Sequence, residues 1–190
     1  VRIYEVHLHQ TTEPSTRLGL VERLAELTEH RRVDQIAAFH WWGQAVREQP
    51  DSERAGDELE RLARATHSWE ELEKVYGDVL EKATTDEVRR TALLKLGRVF
   101  EEELRDPDRA EQAYLGVLEI TELDPDALRA LDRLYTSRGA FAELAAILRK
   151  RLAVEASTAD VVALHFRLGA LFEEALEEPE EAIGSYQAIL

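Results

Sequence analysis

A fixed recurrence constrains this chain more than any other feature of its sequence. Leu96-Gly97 returns as Leu168-Gly169, 72 positions later. Pro107, Ala110 and Tyr114 return as Pro179, Ala182 and Tyr186 at the same interval, and Leu62, Trp69 and Leu72 as Leu134, Phe141 and Leu144. The interval divides again. A marker leucine stands at Leu24, Leu59, Leu96, Leu131 and Leu168, in steps of 35, 37, 35 and 37. A supersecondary unit of this length cannot bury its apolar faces alone, so neighbouring units must stack and stability becomes a sum of nearest-neighbour contacts.

The segments between these markers read as helices, and none alternates with a period of two. Leu20/Val21, Leu24 and Leu27 share a face, and Val33 to Glu48 continues as a second helix with Ile36, Ala37, Trp42, Ala45 and Val46. Thr12-Glu13-Pro14, Pro50-Asp51-Ser52, Thr84-Thr85-Asp86, Asp106-Pro107 and Asp124-Pro125 each join a capping side chain or a first-turn proline to the start of an apolar-periodic run, and Ser68 stands where a cap is needed. Gly139 ends the helix before it. The reading divides the chain into hairpins at about 14–49, 51–83, 85–122, 124–156 and 158–190, with residues 1–10 ending a preceding hairpin. It expects one array that is a portion of a longer one, because Val1 and Leu190 both fall inside a unit.

The period in the mid-thirties, with small residues at helix crossings, resembles the tetratricopeptide repeat (TPR) family. The matching residues are Leu96-Gly97 with Phe100, Ala110, Tyr114 and Pro125; Leu131 with Tyr135, Gly139 and Phe141; and Leu168-Gly169 with Phe172, Ala182 and Tyr186. The resemblance covers essentially the whole chain. It implies an all-α fold, an α-solenoid of stacked antiparallel helical hairpins in a right-handed superhelix, with a groove lined by the first helix of each hairpin. Leu72 and Leu144 stand where the family prefers Ala, and Glu60 and Asp132 where it prefers Gly or Ala, so either looser crossings there or a longer-period variant of the unit is expected.

Composition narrows the function. There are 39 acidic against 24 basic residues, a net charge of −15, which repels a phosphate backbone and argues against nucleic acid as partner. The absence of cysteine removes disulfides, thiolate metal sites and cysteine nucleophiles. The six histidines lack a metal-binding helical spacing, the glutamate runs lack the oxygen pattern of a calcium loop, and there is no phosphate-binding glycine loop. No metal, cofactor or catalytic residue is expected, and no membrane insertion. Abundant Arg, Ala and Leu with few Lys suggest a bacterial source, and the reading places the chain in the cytoplasm.

Two patterns remain as candidate sites. Arg61, Arg98 and Arg133 lie two residues after a marker leucine, and Arg23, Lys95 and Arg167 one before it. The resemblance turns these positions into the groove, where they would form a ladder of cations for an acidic or carboxylate-bearing peptide. The competing reading is neutralisation within each helix, Arg61 by Asp57 and Arg98 by Glu102. The second pattern is Phe39-His40-Trp41-Trp42. Trp42 aligns with Tyr114 and Tyr186 and belongs to the core, whereas Phe39 and Trp41 widen the apolar stripe, either to pack on a preceding part of the array or to meet another chain. The expectation is a non-catalytic scaffold that binds protein segments on its concave face. The alternatives are an assembly module self-associating through terminal repeats and a regulatory segment of a larger protein.

Overall fold

The computed structural model describes residues 2–189, and every regular element among them is helical. In order these are α1 (Arg2–Gln10), α2 (Pro14–Arg32), α3 (Gln35–Glu48), α4 (Glu53–Thr66), α5 (Trp69–Lys82) and α6 (Asp86–Arg98). A π-helical turn (Val99–Glu103) follows α6. Then come α7 (Pro107–Ile120), α8 (Pro125–Arg138), α9 (Phe141–Val154), α10 (Thr158–Glu174) and α11 (Pro179–Gln187). The fold class is the expected one, an all-α solenoid built of helical hairpins.

The chain divides into two compact units, one reaching to Val99 and one starting at Phe100. In the first, α3 packs against α2, α4 and α5, while α5 also meets α6 and α1 meets α2. In the second, α7 to α11 each pack on the next helix in sequence. Leucines of the apolar stripes form both cores: Leu24, Leu59, Leu62 and Leu72 in the first, Leu128, Leu131 and Leu148 in the second, all at most 1% exposed. Each such side chain contributes about 1.5–3 kcal/mol on burial. That sum outweighs what surface ion pairs supply, so the apolar stripes set the fold and the charges refine it.

The helix starts follow the sequence. Asp124 accepts from the Asp126 and Ala127 amides, Asp106 from Arg109, Ser52 from Ala55 and Thr85 from Val88. Glu13 accepts from the Ser15 and Thr16 amides ahead of Pro14. Hydrogen bonds from Thr16 and Ser15 pull its carboxyl down to about 2. Ser68 differs from expectation: its hydroxyl shares a 2.8 Å hydrogen bond with Thr66 Oγ1 and makes no cap bond to α5.

The helix ends carry a repeat that the sequence hides. Val33, Arg105 and Glu177, spaced 72 apart, all adopt left-handed backbone with φ of 54–55°. After each, an amide closes on a carbonyl six residues back: Asp34 on Thr28, Asp106 on Phe100 and Glu178 on Phe172. This is the Schellman closure, which satisfies carbonyls otherwise orphaned at a helix end. His67 and Gly139, again 72 apart, are left-handed caps at the ends of α4 and α8. Val33 was expected inside the second helix. It ends α2 instead, because the chain must reverse before Asp34 can cap α3 by accepting from the Ala37 amide.

Candidate functional site on the first-helix faces

The six cations picked out from the sequence all meet carboxylates. In the first unit Arg61, on α4, reaches back to Glu29 on α2 at 2.7 Å and also holds Glu58 on its own helix. Lys95 and Arg98, on α6, both reach Glu60 on α4 at 2.7 Å. Arg23 pairs with Glu26 within α2. In the second unit Arg133 meets Glu101 at 3.3 Å. Arg167, on α10, grips Asp132 on α8 through two hydrogen bonds of 2.7 and 2.8 Å. Cross-helix carboxylates at about one repeat's separation are thus the main partners. Asp57, expected for Arg61, lies 4.0 Å from Lys95 instead.

The burial of the two partners differs within each pair. Glu29, Glu60 and Glu101 keep only 13–20% of their side chains exposed, whereas the side chains of Arg61, Arg98, Arg133 and Arg167 remain 44–59% exposed. Each arginine head meets a sheltered carboxylate while about half of its side chain stays in water, as a long amphipathic side chain allows. A guanidinium has five N–H donors, and Arg98 and Arg133 each use one on the carboxylate beneath. Lys95 is different. Its side chain is only 19% exposed and its ammonium sits on Glu60, so it is part of the packing.

Asp132 corrects the expectation of a loose crossing. It is 4% exposed and takes the guanidiniums of Arg167 and Arg151 together with the Thr136 hydroxyl. Burial works to raise its pKa, but the hydrogen bonds and charges of Arg167 and Arg151 outweigh it and hold the carboxyl below its ordinary range. Glu60, 72 residues earlier, has the same role: it accepts from Lys95, Arg98 and the Tyr76 hydroxyl. An acid where the family prefers a small residue ties three elements together in each unit.

The aromatic candidates separate. Phe39 is 1% exposed, so the interface expectation for it is corrected. Helix α3 is packed by α2, α4 and α5 at once and buries Ala38, Phe39, Trp42, Ala45 and Val46, more than a single stripe. Trp41 is half-buried and lines a small pocket with Leu8, Arg17 and Gln44. Arg17 there donates to the Leu8 and Thr11 carbonyls at 3.0 Å and to Glu48, tying α1 and α2 to α3. Trp41 thus lines this pocket beside Leu8 of α1.

A second concavity was not read from the sequence. In the second unit an open crevice of about 640 Å³ runs between α9 and α10 beside the end of α8. Its floor is Leu144, Leu148 and Leu171, and its rim carries Phe141, Arg167, Ala170 and Glu174. Among the described residues no group of three His, Asp or Glu side chains is arranged to hold a metal, and no helix is long and apolar enough to cross a membrane.

Comparison with known proteins agrees with this architecture. The tetratricopeptide repeat family matches residues 92–128. No curated protein matches the chain. Among solved structures, the chain is similar to MamA at 14% identity, over 85% of this chain and 90% of that one, with a TM-score of 0.53. It is similar to BtubC (BKLC) from P. vanneervenii at 18% identity, over 93% of this chain and 79% of that one, with a TM-score of 0.52. It is also similar to YrrB, described as a TPR protein with an unusual peptide-binding site, at 14% identity, over 87% and 81%, with a TM-score of 0.52.

Proposed function

We propose that this chain, a tetratricopeptide-repeat protein, is a non-catalytic interaction scaffold that binds protein segments along the first-helix faces of its units. The observation that carries this reading is the set of half-exposed arginine side chains, each paired with a sheltered carboxylate: Arg61 and Arg98 in the first unit, Arg133 and Arg167 in the second. A side chain already held by an ion pair loses little further freedom when a ligand arrives, so the surface is preorganised. Spare N–H donors at one-repeat spacing suit an extended segment that bears carboxylates at matching intervals. The carboxylates underneath dampen the attraction, so such binding is selective by spacing and weak by charge alone.

Short random peptides selected on the intact protein test this. The winners should be enriched in Asp and Glu, and Arg61→Gln with Arg98→Gln should weaken those that map to the first unit by about tenfold. Selection that yields no binder, or binders indifferent to all four arginines, would sink the reading.

A second reading is self-association. Ile3 and Val6 on α1 and Phe166 and Ile183 on α10 and α11 are each more than half exposed. Exposed apolar residues of this kind, one set in each unit, suit a contact between copies. Light scattering that shows a constant mass across a wide concentration range would remove it.

A further inference from the structure

The crevice of the second unit has a counterpart in the first, and the two differ in an informative way. Moved by 72 residues, Thr136, Phe141 and Ala170 fall on Arg64, Trp69 and Arg98. In the first unit arginines stand at two of these positions. The Arg64 guanidinium lies over the Trp69 ring, 6.0 Å from its centroid, and the Arg98 head sits on Glu60. In the second unit both arginines are replaced by short side chains, Thr136 and Ala170, and both line the open crevice.

What these two positions of the crevice lack is therefore an arginine. Phe141 is 43% exposed, and no cation of the described residues lies over its ring. Elsewhere the protein pairs its rings with its own guanidiniums, Arg109 with Phe100 at 4.0 Å and Arg149 with Phe172 at 4.9 Å. Glu174, on the rim, makes no ion pair or hydrogen bond with the described residues. Among the described residues the one cation on the rim, Arg167, is already paired with Asp132. An aliphatic floor, a bare ring face and an unpaired carboxylate together match a guanidinium on its alkyl stem: the stem on leucine, the plane over the ring, the charge on the acid. The crevice volume leaves room for an apolar neighbour of that arginine.

We propose that the crevice between α9 and α10 is a docking site for an arginine side chain presented by a partner protein segment. Phe141 stacks on the guanidinium, Glu174 pairs with it, and Leu144 and Leu171 hold the stem. The inference goes beyond the first-helix reading, since it concerns the opposite charge and a different set of contacts.

The test uses the full chain and labelled peptides with a central arginine flanked by leucines, read by fluorescence anisotropy. Twins carry citrulline, the neutral isostere, or phenylalanine in its place. The arginine peptide should bind about tenfold more tightly than either twin, as expected for one cation–π contact with one charge-assisted pair. Ala170→Arg, which gives the second unit the residue that the first unit has, should reduce binding of the arginine peptide about tenfold or more, and Glu174→Gln by several-fold. Both positions are at the surface, and helical circular dichroism verifies that each variant is folded. Equal affinity for the citrulline or phenylalanine twin, full binding to the Ala170→Arg variant, or no binding of the arginine peptide at all would overturn the proposal. Peptides enriched in Asp and Glu serve as the independent control. Their capture by the Ala170→Arg variant with this site refuted leaves the first-helix reading standing, and loss of their capture alone refutes that reading and not this one.

Discussion

Removing the Asp132 carboxylate probes the ties between first helices most sharply. Asp132→Ala puts a residue the family prefers at that crossing, so a purely steric view predicts little change. The structure predicts a large one. Two guanidiniums and a hydroxyl lose their acceptor, and Arg151, whose side chain is 19% exposed, is left with its charge inside the packing. Breaking a buried pair from one side costs about 3–5 kcal/mol. Arg167 is 44% exposed and regains water, which moves the expectation to the lower end, about 3 kcal/mol. A stacked array need not unfold in one step, so the loss is best read locally, by amide hydrogen exchange across α8, α9 and α10. Exchange there should accelerate about a hundredfold, with a far smaller change in α2 and α3. The pH dependence carries the same sign. The folded carboxyl is held below its unfolded value, so its contribution is complete above the unfolded pKa of about 3.9 and fades as the pH falls through the folded one. Arg167→Ala combined with Asp132→Ala should cost less than the two separate losses added, the mark of a shared interaction. A loss under about 1 kcal/mol for Asp132→Ala, or equal effects in both units, would refute the argument.

Other substitutions test the packing and the caps. Val33→Gly should raise stability by about 0.5–1 kcal/mol, since relief of a β-branched residue at φ 54° exceeds the added freedom of the unfolded chain, and chemical denaturation monitored at α2 would show it. Gly169→Ala should destabilise by about 1–3 kcal/mol, because a Cβ there would sit 2.5–2.8 Å from the Tyr186 ring and displace it from Glu173. Gly77→Ala, on α5 with nothing within 4 Å, should stabilise by about 1 kcal/mol through helix propensity. Phe39→Ala should cost about 3–5 kcal/mol as a core cavity. Trp41→Ala, at the half-buried edge, should cost clearly less in the same thermal melt.

What the sequence made legible was whatever repeats in residue type. The marker leucines, the Asp-Pro starts and Gly139 announce helices and their ends because a specific side chain is needed there. The left-handed caps at Val33, Arg105 and Glu177 escaped notice because an amide closing on a carbonyl six residues back makes them, and three unlike side chains tolerate that conformation. Only their common interval could have shown it. The ion pairs were misassigned for a related reason. Helical spacing reveals neighbours three or four positions apart, so Asp57 looked right for Arg61. Glu29, 32 positions back, becomes a neighbour only once first helices lie side by side. Phe39 looked surplus to one apolar stripe because the sequence does not show that α3 touches three helices. The crevice by Phe141 could have been found by aligning the chain on itself and asking where an arginine in one copy faces a short side chain in the other.

The central claim is that each hairpin is sheltered by its neighbour alone, so that a whole period can be lost without loss of the fold. Excision of residues 97–168, which joins Leu96 to Gly169, removes one full recurrence and leaves every remaining helix with a neighbour of the type it had. The shortened chain should keep helical circular dichroism in proportion to its length and melt cooperatively at a lower temperature. A shortened chain that is unfolded under conditions where the parent is folded would contradict it.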